Sequence, residues 1–225
     1  MRSTCVAIAL ITVAGTATAG VSLPVTEDFE TGANGWLTGN FMSLTEVASG
    51  GSDGGAYVST TADFSGNSEG EFVTLFRGEQ NPGLPGASNG AFVGDWVASG
   101  ATEFAFDIRH NNQTGPLTVW ARFSPIQRFP GGIAVNFVPV LAGQWTTVTI
   151  AIDPNNPQFV SFEGFGFDDI FPAMSNIQFG IDTPASLAGS SLPVTFDIDN
   201  VRLIPTPASA ALLGFAGLAA RRRRG

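Results

Sequence analysis

Along most of the chain, apolar and polar residues alternate with a period of two, the pattern of strands that bury one face. The alternation is clearest over residues 103–110, 117–123, 146–152 and 194–203, each bounded by Gly, Pro, Asn or Asp. Less regular strands are expected at 23–29, 41–47, 56–60, 72–76, 91–97, 133–140, 159–167 and 176–181. No long helical period competes, and no internal repeat points to a propeller or solenoid. Many short strands between turn signals predict an all-β fold, an antiparallel β-sandwich of jelly-roll type. The Gly- and Pro-rich stretch 78–90 reads as one long surface loop, and 154–157 as a shorter one.

The two ends break this pattern. Met1 and Arg2 give a positive start, residues 5–15 are apolar except for Thr12, and Ala17, Thr18 and Ala19 form a small-x-small cleavage site. This predicts a signal peptide over 1–19, its apolar run well short of the roughly 20 residues that span a bilayer. Cys5, the one cysteine, lies in that run, so the mature chain would have no disulfide. At the other end Pro205, Thr206 and Pro207 precede thirteen apolar or small residues, 208–220, and then Arg221, Arg222, Arg223 and Arg224. Motif, greasy helix and basic stop resemble the PEP-CTERM sorting signal, in which exosortase-type membrane peptidases recognise and cut a C-terminal tail. The usual glutamate of that motif is Thr206 here, which leaves the sorting enzyme open. The resemblance implies a sorting tail over 205–225, transient passage of its helix through the inner membrane, and final residence at the cell surface or in extracellular polymer. A plain tail anchor is the alternative, since four arginines would hold that end on the cytoplasmic side either way.

Between these ends, residues 20–204 suit one domain with a proper core. Five arginines and no lysine stand there against nineteen acids, a balance of −14. Such a charge repels phosphate backbones, so nucleic acid is excluded as a natural partner. Acidic exported domains bind divalent cations or neutral polymers, or use their charge for solubility alone.

Two short segments carry a second resemblance. Asp28-Phe29-Glu30-Thr31-Gly32 is followed by Gly35-Trp36 near the start of the domain, and Phe196-Asp197-Ile198-Asp199-Asn200-Val201-Arg202-Leu203 closes it. These resemble the first and last strands of jelly-roll carbohydrate-binding modules and related galactose-binding-like domains. The resemblance implies that the terminal strands lie together and that their acids help hold a structural calcium ion. Carried to this sequence, the ligands would be Glu30 and Asp199, with Asp28 and Asp197 as further candidates. Backbone carbonyls would complete a shell of six to eight oxygens. The alternative is that these acids simply face solvent.

Side-chain alternation also suggests a binding face. Over 103–110, Phe104, Phe106 and Ile108 share one side and Glu103, Asp107 and Arg109 the other. Over 117–123, Trp120 falls with Thr118 and Arg122 on the polar side. If the two strands pair as a hairpin, Trp120, Asp107, Arg109 and Arg122 form an aromatic platform ringed by hydrogen-bonding groups, as sugar binding needs. The alternative is a covering loop with Trp120 packed beneath it. Trp36, Trp96 and Trp145 are assigned to the core or its rim. Catalysis has little support: His110 reads as a turn residue, and no nucleophile elbow or zinc ligand set is visible. The tight acidic strand motif of jelly-roll glucanases is also missing. The chain therefore reads as a non-catalytic polysaccharide-binding or matrix-associated module. A structural or adhesive surface protein without a sugar site is the alternative, and a glycoside hydrolase a distant third.

Overall fold

The structure, a computed structural model, describes residues 19–80, 86–125, 131–161 and 164–205. Most of the signal-peptide segment and nearly all of the sorting tail, including Thr206, Pro207 and the four terminal arginines, lie outside the described residues.

Twelve strands follow in chain order: β1 (Val25–Glu27), β2 (Leu37–Thr38), β3 (Thr45–Val47), β4 (Tyr57–Ala62), β5 (Phe72–Glu79), β6 (Ala101–His110), β7 (Val119–Ser124), β8 (Gly132–Val135), β9 (Thr146–Ala151), β10 (Phe159–Ser161), β11 (Asn176–Asp182) and β12 (Val194–Pro205). One short helix, α1 (Phe167–Ile170), precedes β11. The strands form two antiparallel six-stranded sheets. The first has the order β3-β4-β12-β6-β9, with β1 also on β12, and the second β10-β8-β7-β11-β5-β2. The protein is an antiparallel β-sandwich of the jelly-roll type. Among the described residues, no helix is long and apolar enough to cross a membrane.

The period-two runs supply the inner faces. Phe104, Phe106 and Ile108 of β6, Phe196 and Ile198 of β12, and Phe179 and Ile181 of β11 are all at most 1% exposed. Between the sheets, Phe104 meets Phe123 edge-on at 5.3 Å and stacks near Trp96 and Phe179 at 5.5 and 6.0 Å. Two bulges adjust the phase. In β12, Asn200 takes a left-handed φ of 47°, which asparagine tolerates, and both Ile198 and Val201 stay in the core. In β5 the register against β11 shifts at Phe179/Gly180, so the consecutive Leu75 and Phe76 are both buried.

Some expectations are corrected. Residues 91–97 form turns rather than a strand: Phe92 and Trp96 are four apart and both buried, and the Trp96 indole N–H donates to Phe92 O at 2.7 Å. The expected strand at 41–47 shortens to β3, and that at 159–167 to β10, its far end becoming α1. The expected surface loop from 78 begins inside β5, which runs to Glu79. Pro205 closes β12, so strand structure overlaps the expected sorting segment by one residue.

Candidate functional site

The hairpin expected between 103–110 and 117–123 does not form. β6 pairs with β12 and β9 in the first sheet, whereas β7 pairs with β11 and β8 in the second. The connection through Gly115 and Pro116 crosses the sandwich and buries Leu117 on the way, at 1% exposure. The four residues grouped by sequence are thereby divided, Asp107 and Arg109 on the outside of one sheet, Trp120 and Arg122 on the outside of the other.

On the second sheet the register sets three polar rows across β5, β11 and β7. Arg77, Gln178 and Arg122 stand opposite one another, Glu79, Asn176 and Ser124 make the next row, and Thr74, Gly180 and Trp120 a third. Glu79 ties the face together, accepting from Arg77 Nη1 and from Gln178 Nε2, each at 2.7 Å. Trp120 lies flat enough over Gly180 that a Cβ there would collide with the indole and with Val73 O. Phe72, 55% exposed, packs edge-on against Trp120 at 5.8 Å, and the tryptophan is 2% exposed. Two buried side-chain atoms on this face have no hydrogen-bond partner: Trp120 Nε1, a donor, and Asp182 Oδ1, an acceptor. They are the only such atoms found among the described residues, and buried orphans are rare enough to need a reason. Beside the face, between β5, β2 and β4, opens a polar cleft of about 540 Å³ lined by Thr38, Thr60, Asp63, Phe72, Thr74 and Arg77.

The outside of the first sheet carries a different arrangement. Ser59, Asp197 and Arg109 stand in one row across β4, β12 and β6. Arg109 donates to Asp197 Oδ2 through Nε at 2.9 Å and Nη2 at 2.8 Å. Its guanidinium also lies 4.5 Å from the Trp145 ring and 5.1 Å from Tyr57, which meet each other edge-on at 5.4 Å. Asp107 is not open to a ligand. It is 5% exposed and takes hydrogen bonds from Ser52 Oγ, Thr147 Oγ1 and Arg202 Nη2 at 2.6, 2.6 and 3.1 Å. His110 is a buried strand-end residue rather than a turn residue. Its Nε2 contacts Val140 O at 3.0 Å and its Nδ1 accepts from Asn112 N at 3.1 Å. Burial lowers its pKa from the ordinary 6.5, against the opposing pull of the Val140 carbonyl.

Of the acids assigned to calcium, Glu30 and Asp199 hold one loop, whereas Asp28 and Asp197 have other partners. β1 does lie against β12, with Glu27 opposite Val201. Glu30 and Asp199 both hold the 51–56 loop: Glu30 Oε1 accepts from Ala56 N at 2.7 Å, and Asp199 Oδ2 from Ser52 N at 2.8 Å. Asp197 belongs to the Arg109 pair, and Asp28 only caps its own turn through Glu30 N at 3.2 Å. Asp199 is fully buried. Burial raises its pKa and the charge of Asp53 adds to the rise, while hydrogen bonds from Ser52 and Asn200 oppose it. Among the described residues no three Asp, Glu, His or Cys side chains gather as a metal group. A Cβ on Gly51 would, however, meet Asp199 Oδ2 at 2.5 Å and the carbonyls of Gly55 and Ala56 at 3.0 Å, so oxygens converge beside the buried carboxylate.

The chain matches no protein-family profile and no curated protein. Among solved structures it resembles the family 11 carbohydrate-binding module of a Clostridium thermocellum cellulosomal cellulase, at 14% identity over 81% of this chain and 95% of that one, with a TM-score of 0.48. It also resembles a family 30 carbohydrate-binding module of another cellulosomal cellulase of that organism, at 14% identity over 83% and 99% of the two chains, with a TM-score of 0.43. A C. thermocellum xylanase, solved as its CBM22-1 and GH10 modules with xylohexaose, is 16% identical over 81% of this chain, TM-score 0.44. The chain spans only 28% of that enzyme's length, and 25% of the agarases it also resembles.

Proposed function

We propose that the protein is a non-catalytic polysaccharide-binding module whose principal contact surface is the outer face of the second sheet. The observation that carries this reading is the pair of buried, unpartnered polar atoms at Trp120 Nε1 and Asp182 Oδ1, one donor and one acceptor. A sugar hydroxyl accepts and donates at once, so hydroxyls of one glycan meet both needs. Arg77, Gln178 and Arg122 extend the same face with further polar groups. The cleft beside Phe72 lies at the sheet edge next to this face.

The test is retention of the whole chain on insoluble polysaccharides, backed by a glycan array. Trp120→Phe keeps a six-membered aromatic ring and removes the pyrrole ring with its N–H. Losing an orphaned buried donor costs nothing, but the vacated ring volume does, so the variant should melt in one cooperative transition somewhat below the wild-type temperature. Its polysaccharide affinity should fall by about 1 kcal/mol, roughly fivefold. Unchanged retention by Trp120→Phe sinks this assignment of the surface.

A chain exported by its 1–19 segment, and sorted through 205–225 by an exosortase-type peptidase, would carry such a surface into extracellular polymer. Mass spectrometry of the secreted product checks both cleavages. Calcium at Glu30 and Asp199 is supported by the buried, raised-pKa carboxylate and by the carbonyls beside Gly51. The ion would neutralise Asp199 and fasten the 51–56 loop to β12, and backbone carbonyls would supply most of its shell.

A further inference from the structure

The first sheet carries a cleft that this function does not use. It measures about 410 Å³ and is lined by Tyr57, Ser59, Arg109, Asn111, Thr195 and Asp197; Trp145, outside the lining, packs against Arg109 and Tyr57. Tyr57 and Trp145 are half-buried, so part of each ring meets solvent. Both rings are held in place. The Trp145 indole N–H donates to Gly50 O at 3.0 Å, and the Arg109 guanidinium lies against both rings. Rings fixed before binding lose little entropy when a ligand arrives. Along the cleft the Tyr57 and Thr195 hydroxyls and Asp197 Oδ1 make no hydrogen bond among the described residues, whereas Arg109 is engaged with Asp197 Oδ2. Arg109 and Asp197 cancel in charge, and the domain around them is strongly acidic. Aromatic surface, unengaged hydroxyls and a neutral lining suit an uncharged pyranose and disfavour a uronate.

This cleft faces away from the Trp120 surface, since the two lie on the outer faces of opposite sheets. We infer that it is a second site, for neutral sugar units, and that the module bridges two polysaccharide strands, one on each face of the sandwich. The bridging rests on the polysaccharide-binding reading above; the second cleft stands on its own residues. Neither site need be tight. Once one face is held on a polymer, the other meets neighbouring chains at high effective concentration.

A capture assay tests it. Insoluble xylan or β-glucan particles are loaded with the whole chain and washed, and a fluorescent soluble polymer of the same sugar is added. Wild-type particles should retain the soluble polymer and ignore a soluble polyuronate. Trp145→Ala and Tyr57→Ala should pellet like wild type and capture about tenfold less soluble polymer. Thr195→Val, which deletes one hydroxyl and keeps the side-chain shape, guards against a merely loosened loop and should lower capture about threefold. Equal capture by all three variants, or a wild type that pellets without capturing, overturns the second cleft and leaves the first surface standing. If the wild type pellets on no polymer, the polysaccharide-binding reading of the first surface falls. The cleft is then judged by tryptophan emission with neutral hexasaccharides of xylose and glucose. Quenching that disappears in Trp145→Phe upholds the second site; no quenching overturns it.

Discussion

Asp199 concentrates the chemistry of the terminal strands in one carboxylate. It is buried, its pKa is raised chiefly by that burial, and no cation lies among its hydrogen-bond partners. The folded state therefore binds its proton more tightly than the unfolded state does. Its contribution to stability is fullest below the ordinary carboxylate pKa of 3.8 and is lost as pH rises through the folded value. In chelator at neutral pH, Asp199→Asn should accordingly raise the melting temperature. In calcium the order should reverse, because an ion bound only by the folded wild type stabilises it and the amide forfeits a charged ligand. A wild-type melting temperature indifferent to calcium would exclude the ion. His110 runs the other way. Its pKa is lowered, so the stability it contributes is present above 6.5 and is lost as pH falls through the folded value. The Nδ1 that accepts from Asn112 N would have to surrender that bond on protonation. Removing the titration with His110→Gln should flatten the acid limb of a melting-temperature profile below pH 6.5, even though the variant is less stable overall.

At the scale of elements, Gly180 is where β11 makes room for Trp120. Gly180→Ala would drive a methyl into the indole and into Val73 O, so the ring must leave the face. The expected result is a loss of about 1–3 kcal/mol in denaturant titration together with lost polysaccharide retention; Trp120→Phe, which drives nothing against Val73 O, should lose retention with only the stability cost of the vacated ring volume. The strands themselves were largely legible, because single-sided burial leaves a period of two in β6, β7, β9 and β12. Which strands pair was not. Alternation placed Trp120 correctly on the polar side of its strand, but the crossover through Gly115 and Pro116 sends that strand to the other sheet, and no local pattern encodes the crossing. Arg77 and Glu79 were missed for a related reason. The bulge at Leu75 and Phe76 buries two neighbours in succession and flips the phase of β5, so a strict period of two ends the strand at 76. Tyr57 and Trp145 belong to β4 and to the approach to β9, on opposite flanks of the sheet's centre, and meet edge-on where Arg109 packs against both.

Over the whole molecule, one aromatic core joins both sheets, with Phe104 touching Phe92, Trp96, Phe106, Phe123 and Phe179. Phe104→Ala should cost about 3–5 kcal/mol and loosen both sheets in a single transition in denaturant titration; two separate transitions would mean the sheets hold themselves independently. The centre of the first sheet is β12, the last strand, which pairs with β1, β4 and β6. Until residue 205 has emerged, β1 and β4 each lack the strand they close against, and β6 has only β9. A chain threaded through a narrow channel from its N-terminus thus cannot complete this sheet until β12 has emerged, and then must form its longest-range pairings at one stroke, a slow step by its topology. Loss of even a few residues upstream of Pro205 would unmake the sheet's middle, whereas a cut just beyond it would leave every described strand intact.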